Sequence, residues 1–231
     1  MINLKMVLVD AIGDSIEELS PKKFRQPNFF VRILKNLILI VFFSVVVFAT
    51  INLPAYLIIG GYKFNPKRFA FDLKKQEQLE LVSKENKYKP TIQYPDNSLF
   101  VPKIGVSAPV VYDVDAGSVM DSLRKGVVHL KGSGHIGSAG NIFITGHSSN
   151  YWWEEGQYNT VFALLPELVP GDLIYLTDSG KLKRYIVREK IEAKKNEVDS
   201  YLTSDGEQLT LMTCVPVGTN LKRLLVVAVP D

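Results

Sequence analysis

Residues 208–230, QLTLMTCVPVGTNLKRLLVVAVP, contain two short β-rich runs, Gln208–Thr213 and Leu224–Val229. The segment between them carries the turn-forming pair of a proline and a glycine in VPVG, residues 215–218. A residue at the end of a strand, just before a turn, lies where a fold can expose it and build a site. Cys214, the only cysteine in the chain, occupies that position.

The single thiol limits the chemistry of the chain. It excludes an internal disulfide framework and zinc sites built from several thiolates. The three histidines are too few to favour a His-rich metal site, and the acidic residues Glu154, Glu155 and Asp172 do not have the spacing of a calcium loop. We therefore predict no metal and no cofactor. A lone cysteine can still be a small packing residue, so the residues around Cys214 are needed to distinguish a packing role from a catalytic one.

The same β-rich pattern continues upstream of residue 208, with Gly, Asp and Asn turn signals between the runs. Five more runs are Leu99–Val101, Val106–Tyr112, Asn141–Thr145, Asp172–Thr177 and Arg184–Glu192. Helical patterns interrupt the series only at Ser118–Lys125 and near Val161–Leu165, before Pro166. Many short strands with few helices predict an all-β barrel or sandwich.

The N-terminal part of the chain has a different character. Residues 37–51 carry no charge, and with the extension to Gly60 they exceed the roughly 20 residues that span a bilayer. This length favours a membrane anchor over a cleaved signal peptide. The flanking cations favour a cytoplasmic N-terminus. We divide the chain into a cytoplasmic tail (1–36), a transmembrane helix (37–60), a stalk (61–96) and a β domain (97–231).

His147 stands after strand Asn141–Thr145 and Gly146, in a place equivalent to that of Cys214. A thiolate is the nucleophilic form of cysteine, and a neighbouring imidazole can stabilise it and transfer protons. Arg223 opens the last strand and can supply a fixed cation for a developing oxyanion. From the residues alone, Arg223 can equally be a solvated charge at a strand end. The net charge of +3 is too small to indicate nucleic acid binding.

Two motifs carry a family resemblance. TLMTC (210–214), followed nine residues later by Arg223, resembles the TLxTC…R signature of the sortases. GNIFITGH (140–147) resembles the strand that delivers their catalytic histidine. Three further segments resemble other strands of the family in the right order: residues 100–106, 126–130 and 170–175. The resemblance covers about residues 97–230.

The resemblance implies an eight-stranded sortase-type β-barrel after an N-terminal transmembrane helix, with residues 97–231 as the catalytic domain outside the cell membrane. It implies cleavage of an LPxTG-like sorting signal by Cys214 through a thioacyl-enzyme, with His147 as acid and base and Arg223 holding substrate and oxyanion. The expected partners are surface proteins that bear a C-terminal sorting signal and an amine acceptor, from the cell wall or pilin-like. No cofactor is needed, because the thiol divides the acyl transfer into two easier steps.

The segment after His147 departs from the family pattern, because it contains the adjacent aromatic residues Tyr151, Trp152 and Trp153. These side chains can line a groove for a leucine–proline peptide or can simply cap the barrel. We predict that they bind substrate together with Thr213. No second apolar span follows the last strand, which favours a general role over fibre assembly.

Two other functions fit the same residues. One is a membrane-anchored cysteine peptidase that resolves the thioester with water, and the other is an inactive, membrane-tethered binding module. The presence of Cys214, His147 and Arg223 together argues against the inactive module.

Overall fold

The computed structural model describes residues 28–70 and 95–231. The chain divides between Val45 and Val46 into two units, and the second unit contains the β domain. Most of the stalk predicted at residues 61–96 lies outside the described residues. The domain boundaries at residues 36, 60 and 96 therefore stay predictions.

Two helices, α1 (Phe29–Ile51) and α2 (Leu53–Phe64), lie in the N-terminal part of the described chain. Within the described residues α1 is the one helix whose length and composition suit a bilayer span, and its side chains are exposed. Its 23 residues correspond to roughly 35 Å, which matches a hydrocarbon core of about 30 Å. Pro54 lies in the first turn of α2, where its missing N–H breaks no helical hydrogen bond.

The β domain is a closed barrel of eight strands in the order β1-β2-β3-β4-β7-β8-β6-β5. This confirms the predicted all-β barrel. The strands are β1 (Ser98–Val101), β2 (Val106–Val114), β3 (Val127–Leu130), β4 (Asn141–Thr145), β5 (Leu173–Asp178), β6 (Lys181–Ala193), β7 (Gln208–Val215) and β8 (Lys222–Pro230).

Two of the strand pairs are parallel, β2 with β3 and β4 with β7, whereas β7 and β8 pair in antiparallel fashion. The last residues of β4 and β7 therefore lie at the same end of the barrel, which we call the upper rim. The opposite end, the lower rim, holds the last residues of β2, β3 and β5.

Apolar side chains fill the barrel interior. Its largest fully buried members include Leu99, Ile142, Leu165 and Leu209. All five residues of β4 are buried, because a second apolar cluster around Phe143 and Leu225 covers the outer face. A strand buried on both faces is a continuous apolar run, which explains the sequence NIFIT.

The helices of the β domain are short, as predicted, but they differ in position from the sequence patterns. Helix α3 covers only Val119–Ser122. The helix expected near Val161–Leu165 is instead a series of turns followed by a 3₁₀ helix at Leu165–Glu167. Pro166 lies within the first turn of that 3₁₀ helix, where proline is tolerated, and does not follow a completed helix.

A partly buried hydrogen-bond network at the lower rim is centred on Glu207. The carboxylate accepts hydrogen bonds from Tyr185 Oη at 2.7 Å, from Lys183 Nζ at 2.5 Å and from the Gly137 backbone N–H at 3.2 Å. Burial alone would raise the pKa of Glu207, but the hydrogen bonds from Lys183 and Tyr185 outweigh it and lower that pKa overall. The network joins β6, β7 and the β3–β4 loop.

Replacing Glu207 with glutamine is expected to lower the free energy of unfolding at pH 7 by about 1–3 kcal/mol, because the charged acceptor of three donors is lost. The depressed pKa of Glu207 adds stability that is present above its unfolded value of about 4.3 and is lost as the pH falls through the folded pKa. Denaturant titrations of the full chain in detergent, at pH 7 and in acid, measure the difference in the free energy of unfolding between the wild type and Glu207→Gln. This difference should be smaller in acid. Glu155→Gln, the same change on an exposed carboxylate, should have little effect on the free energy of unfolding at either pH.

Candidate active site

The β7–β8 hairpin brings two of the predicted site residues together. Cys214 and Arg223 are direct cross-strand partners in the antiparallel pairing. Side chains of such partners project from the same face, with Cβ atoms about 4.5–5.5 Å apart. Both residues are half-buried at the upper rim, on either side of the loop formed by residues 216–221.

The parallel pairing of β4 with β7 determines the position of His147. Thr145 is aligned with Met212, so the two residues that follow Thr145 run beside Thr213 and Cys214. Two hydrogen bonds continue the alignment past the end of β4. The Gly146 N–H donates to the Met212 carbonyl at 3.1 Å, and the Thr213 hydroxyl donates to the Gly146 carbonyl at 2.8 Å. His147, Cys214 and Arg223 thus occupy three neighbouring strand ends at one rim.

Gly146 is required by close packing. A Cβ atom at this position would lie 2.5 Å from Cδ2 and 2.7 Å from Cε2 of Phe162, a fully buried ring. The Phe162 backbone N–H also donates to the His147 carbonyl at 2.9 Å. The segment around Phe162 therefore fixes the backbone on which the imidazole is mounted. Sequence reasoning identified the glycine before His147 but had no signal for its partner.

The electrostatics of the site suit proton transfer and anion binding. Burial lowers the pKa of His147, which favours the neutral imidazole. Arg223 Nη1 donates to the carbonyls of Asn220 at 3.0 Å and Lys222 at 3.2 Å. These contacts hold the guanidinium against the β7–β8 loop. Within residues 28–70 and 95–231, Arg223 Nε and Nη2 have no hydrogen-bond partner and can bind an oxygen of a ligand.

The start of α2 packs against the loop between Cys214 and Arg223. Asn52 is almost fully buried, and a Cβ atom on Gly218 would lie 2.6 Å from the Asn52 side-chain oxygen. The Tyr56 hydroxyl lies 3.4 Å from the Val217 carbonyl and donates to it. These contacts join residues that are far apart in the chain, and no sequence pattern predicted them.

The aromatic residues after His147 form an exposed cluster. Tyr151, Trp152 and Trp153 are 48%, 69% and 54% exposed, so they do not fill the barrel core. The Tyr151 and Trp153 rings stack with centroids 4.7 Å apart, and Trp152 meets Trp153 edge-on at 5.5 Å. The stacking covers one face each of Tyr151 and Trp153, and the exposed remainder of the three rings is available to a ligand. Thr213 differs, because its side chain is buried and its hydroxyl is bonded to Gly146.

Comparisons with known proteins agree with this architecture. The Sortase domain family model matches residues 99–231. Sortase D of Bacillus subtilis (strain 168) is 34% identical over 143 residues, which cover 60% of this chain and 65% of that protein. The match thus spans slightly less than two thirds of that relative.

Two crystal structures share the fold. Sortase C1 from Streptococcus suis aligns with a TM-score of 0.50 at 23% identity, over 71% of this chain and 87% of its own. Sortase C-1 from Actinomyces oris aligns with a TM-score of 0.50 at 25% identity, over 78% of this chain and 98% of its own.

Replacing Gly146 with alanine is expected to destabilise the full chain by about 1–3 kcal/mol, because the added methyl group overlaps the buried Phe162 ring. The displaced backbone should also shift the NMR resonances of the His147 ring. Gly117→Ala is the matched control, since a Cβ atom there meets nothing within 4 Å. Unfolding titrations that found both variants as stable as the wild type would show that the contact with Phe162 does not constrain this loop.

Proposed function

The chain belongs to the sortase family, and on that premise we propose that it is a transpeptidase that cleaves an LPxTG-like sorting signal through a thioacyl-enzyme on Cys214. The observation that carries the proposal is the shared register of β4, β7 and β8 at the upper rim. This register brings a thiol, an imidazole and a guanidinium to adjacent strand ends. The three groups are those that acyl transfer through a cysteine requires.

In the first step the neutral His147 imidazole takes the proton of the Cys214 thiol, and the resulting thiolate attacks the carbonyl carbon of the Thr–Gly peptide bond. A carbon–sulfur bond forms, the carbon–nitrogen bond breaks, and His147 gives that proton to the departing glycine amine. In the second step His147 takes a proton from the incoming amine, which attacks the thioester and releases the thiolate. The half-buried position of His147 supports this role, because a lowered pKa keeps the base form available.

Arg223 would stabilise the negative charge on the substrate oxygen. Its guanidinium is held by two backbone carbonyls and keeps Nε and Nη2 for the ligand. A cation held in place before the reaction stabilises the developing oxyanion without a reorganisation cost in the transition state. The planar guanidinium can also donate two N–H hydrogen bonds in a fixed geometry to substrate oxygen, which the single ammonium group of a lysine cannot reproduce.

The exposed rings of Tyr151, Trp152 and Trp153 are proposed to bind the apolar residues of the sorting signal. They follow His147 closely in the chain and present aromatic faces to solvent. The substrate contact predicted for Thr213 stays a prediction. The buried hydrogen bond from Thr213 to the Gly146 carbonyl supports a second role, in which Thr213 fixes the backbone next to His147 and keeps His147 beside Cys214.

The helix α1 is compatible with a single-pass membrane anchor. We propose a cytoplasmic N-terminus and a catalytic domain, residues 97–231, outside the membrane. The substrates would be surface proteins with a C-terminal sorting signal, and the acceptor would be an amine of the cell wall or of a pilin-like protein. An enzyme held at the membrane surface is well placed to meet both.

The proposed transfer is tested by incubating the full chain with an LPxTG-type peptide, with and without a small primary amine such as triglycine. We expect a transfer product that grows at the expense of the hydrolysis product, and no cleavage by Cys214→Ala. Unchanged hydrolysis with each amine tested would instead support the cysteine peptidase. Wild-type turnover by Cys214→Ala would remove this thiol from the mechanism. Thermal unfolding of the variant checks that the barrel is intact.

Truncating Trp152 to alanine is expected to raise KM for the peptide by about 5- to 30-fold with little change in kcat, because roughly 1–2 kcal/mol of apolar contact is lost. Stability should barely change, since the ring is 69% exposed. Leu182→Ala is the control, an exposed apolar residue in β6 at the lower rim. Equal KM values for Trp152→Ala, Leu182→Ala and the wild type would exclude a role of this ring in peptide binding.

A further inference from the structure

A cluster of two histidines and two aspartates lies at the lower rim, at the opposite end of the barrel from Cys214. Asp113 lies near the end of β2, His129 lies in β3, His135 lies in the β3–β4 loop, and Asp178 ends β5. The proposed mechanism uses none of them. No sequence pattern predicted that the two histidine rings meet, with centroids 4.7 Å apart.

His129 has one ring nitrogen committed and the other directed at Asp113. Its Nε2 lies 2.9 Å from the Gly134 carbonyl and 2.8 Å from the Ser133 hydroxyl, which itself donates to the Leu130 carbonyl at 2.7 Å. Both neighbours accept, so the proton is placed on Nε2. Its Nδ1 therefore carries a lone pair, which accepts a hydrogen bond from the Asp113 backbone N–H at 3.3 Å and lies 3.6 Å from Asp113 Oδ1. An ion bound at Nδ1 would replace that hydrogen bond. The ring is fully buried, and burial lowers the pKa of His129. A neutral imidazole with a directed lone pair is the form that binds metal ions.

His135 lies between two carboxylates, whose hydrogen bonds outweigh burial and raise the pKa of His135, so a bound ion would replace its Nε2 proton. Its Nδ1 lies 2.8 Å from Asp178 Oδ2, and its Nε2 lies 3.2 Å from Asp113 Oδ1. Asp178 is itself buried, and it accepts a hydrogen bond from the Ser179 hydroxyl at 2.9 Å. Histidines that bind metal ions commonly donate their second N–H to a carboxylate or carbonyl in this way, which fixes the orientation of the ring.

The backbone at Asp113 is strained in a way that aims its side chain at the two rings. Its φ of 56° lies in the left-handed region, which non-glycine residues seldom adopt. It also lies within the irregularity between Val111 and Val114 in the β2–β3 pairing. Bulges of this kind redirect a side chain and often occur next to functional sites.

We propose that Asp113, His129 and His135 bind one divalent transition-metal ion of the Zn²⁺ type, with Asp178 and the Gly134 carbonyl orienting the two imidazoles. The three ligand atoms lie within 4.8 Å of one another. Two of their separations, 3.2 and 3.6 Å, are close to the roughly 3.3 Å edge of a tetrahedron with bonds of about 2.0 Å. The two imidazole nitrogens lie within 4.8 Å of each other, and the glycine-rich loop that carries His135 can adjust this separation to an ion.

The donor set and the exposure of the cluster favour this class of ion. Two imidazole nitrogens and one carboxylate suit zinc and its neighbours, whereas Ca²⁺ and Mg²⁺ need oxygen ligands. The Asp113 and His135 side chains are 55% and 41% exposed, so an ion can enter from solvent and keep a water ligand. The bound ion would link β2 and β3 to the β3–β4 loop, and through Asp178 to β5.

The test uses the full chain in detergent with Cys214→Ala as the background, which removes the only thiol that could bind the same ion. Zn²⁺ is titrated in competition with a chromogenic chelator, and Co²⁺ is followed by visible absorption. We expect one equivalent of Zn²⁺ per chain, a higher melting temperature with Zn²⁺, and Co²⁺ bands of a four- or five-coordinate nitrogen–oxygen site. None of these readouts depends on turnover, so the result is independent of the proposed function.

In the same background, His135→Ala and Asp113→Asn should each weaken Zn²⁺ binding by at least tenfold. Asp178→Asn should weaken it about tenfold while the stoichiometry stays at one, because that carboxylate only orients a ligand. Asp115→Asn, a neighbouring exposed carboxylate paired with Lys131, is the matched control and should bind as the background does. If His135→Ala does not fold, the Zn²⁺ affinity of Asp113→Asn alone tests the proposed site. Absence of saturable binding, or binding that neither variant weakens, would mean that the cluster is a hydrogen-bonded ion pair only.

Discussion

The parallel pairing of β4 with β7 is the constraint on which the active-site geometry depends. A shift of one residue would turn every side chain of a strand to the other face, and His147 would lose its place beside Cys214. A buried polar contact fixes the register at the lower end of the pair. Thr210 donates from its hydroxyl to the Asn141 side-chain oxygen at 2.9 Å, and both residues are fully buried. An unpaired amide there would be costly, so a slipped register is disfavoured.

At the upper end of the pair, the same register is continued by groups that lie outside the strands. The Thr213 hydroxyl holds the Gly146 carbonyl, and the Phe162 ring leaves room only for a glycine at residue 146. Asn52 and Tyr56 contact the loop that joins Cys214 to Arg223. Packing and hydrogen bonds thus support each of the three strand ends, which is what a site needs to keep its geometry through a reaction.

The sequence was most informative where the residues of a single strand are enough to predict its structure. The apolar run in β4 and the turn after Cys214 were enough to predict strands and a site at their ends, and family resemblance supplied the role of Arg223. Short or non-local features were not accessible from the residue pattern alone. β3 has only four residues and includes the buried His129, so no alternation marks it, and only the family resemblance of residues 126–130 indicated it. Asp113 and Asp178 are 65 residues apart, and only barrel closure brings them to one histidine.

Isolation of the covalent intermediate would show whether Cys214 carries the acyl group during transfer. The full chain would be mixed with an LPxTG-type peptide without an amine, quenched in acid, digested and analysed by mass spectrometry. We expect a fragment containing Cys214 whose mass is increased by the acyl part of the peptide up to threonine, and loss of this adduct on treatment with hydroxylamine. Substrate turnover with an unmodified Cys214, or an adduct on another residue, would contradict it.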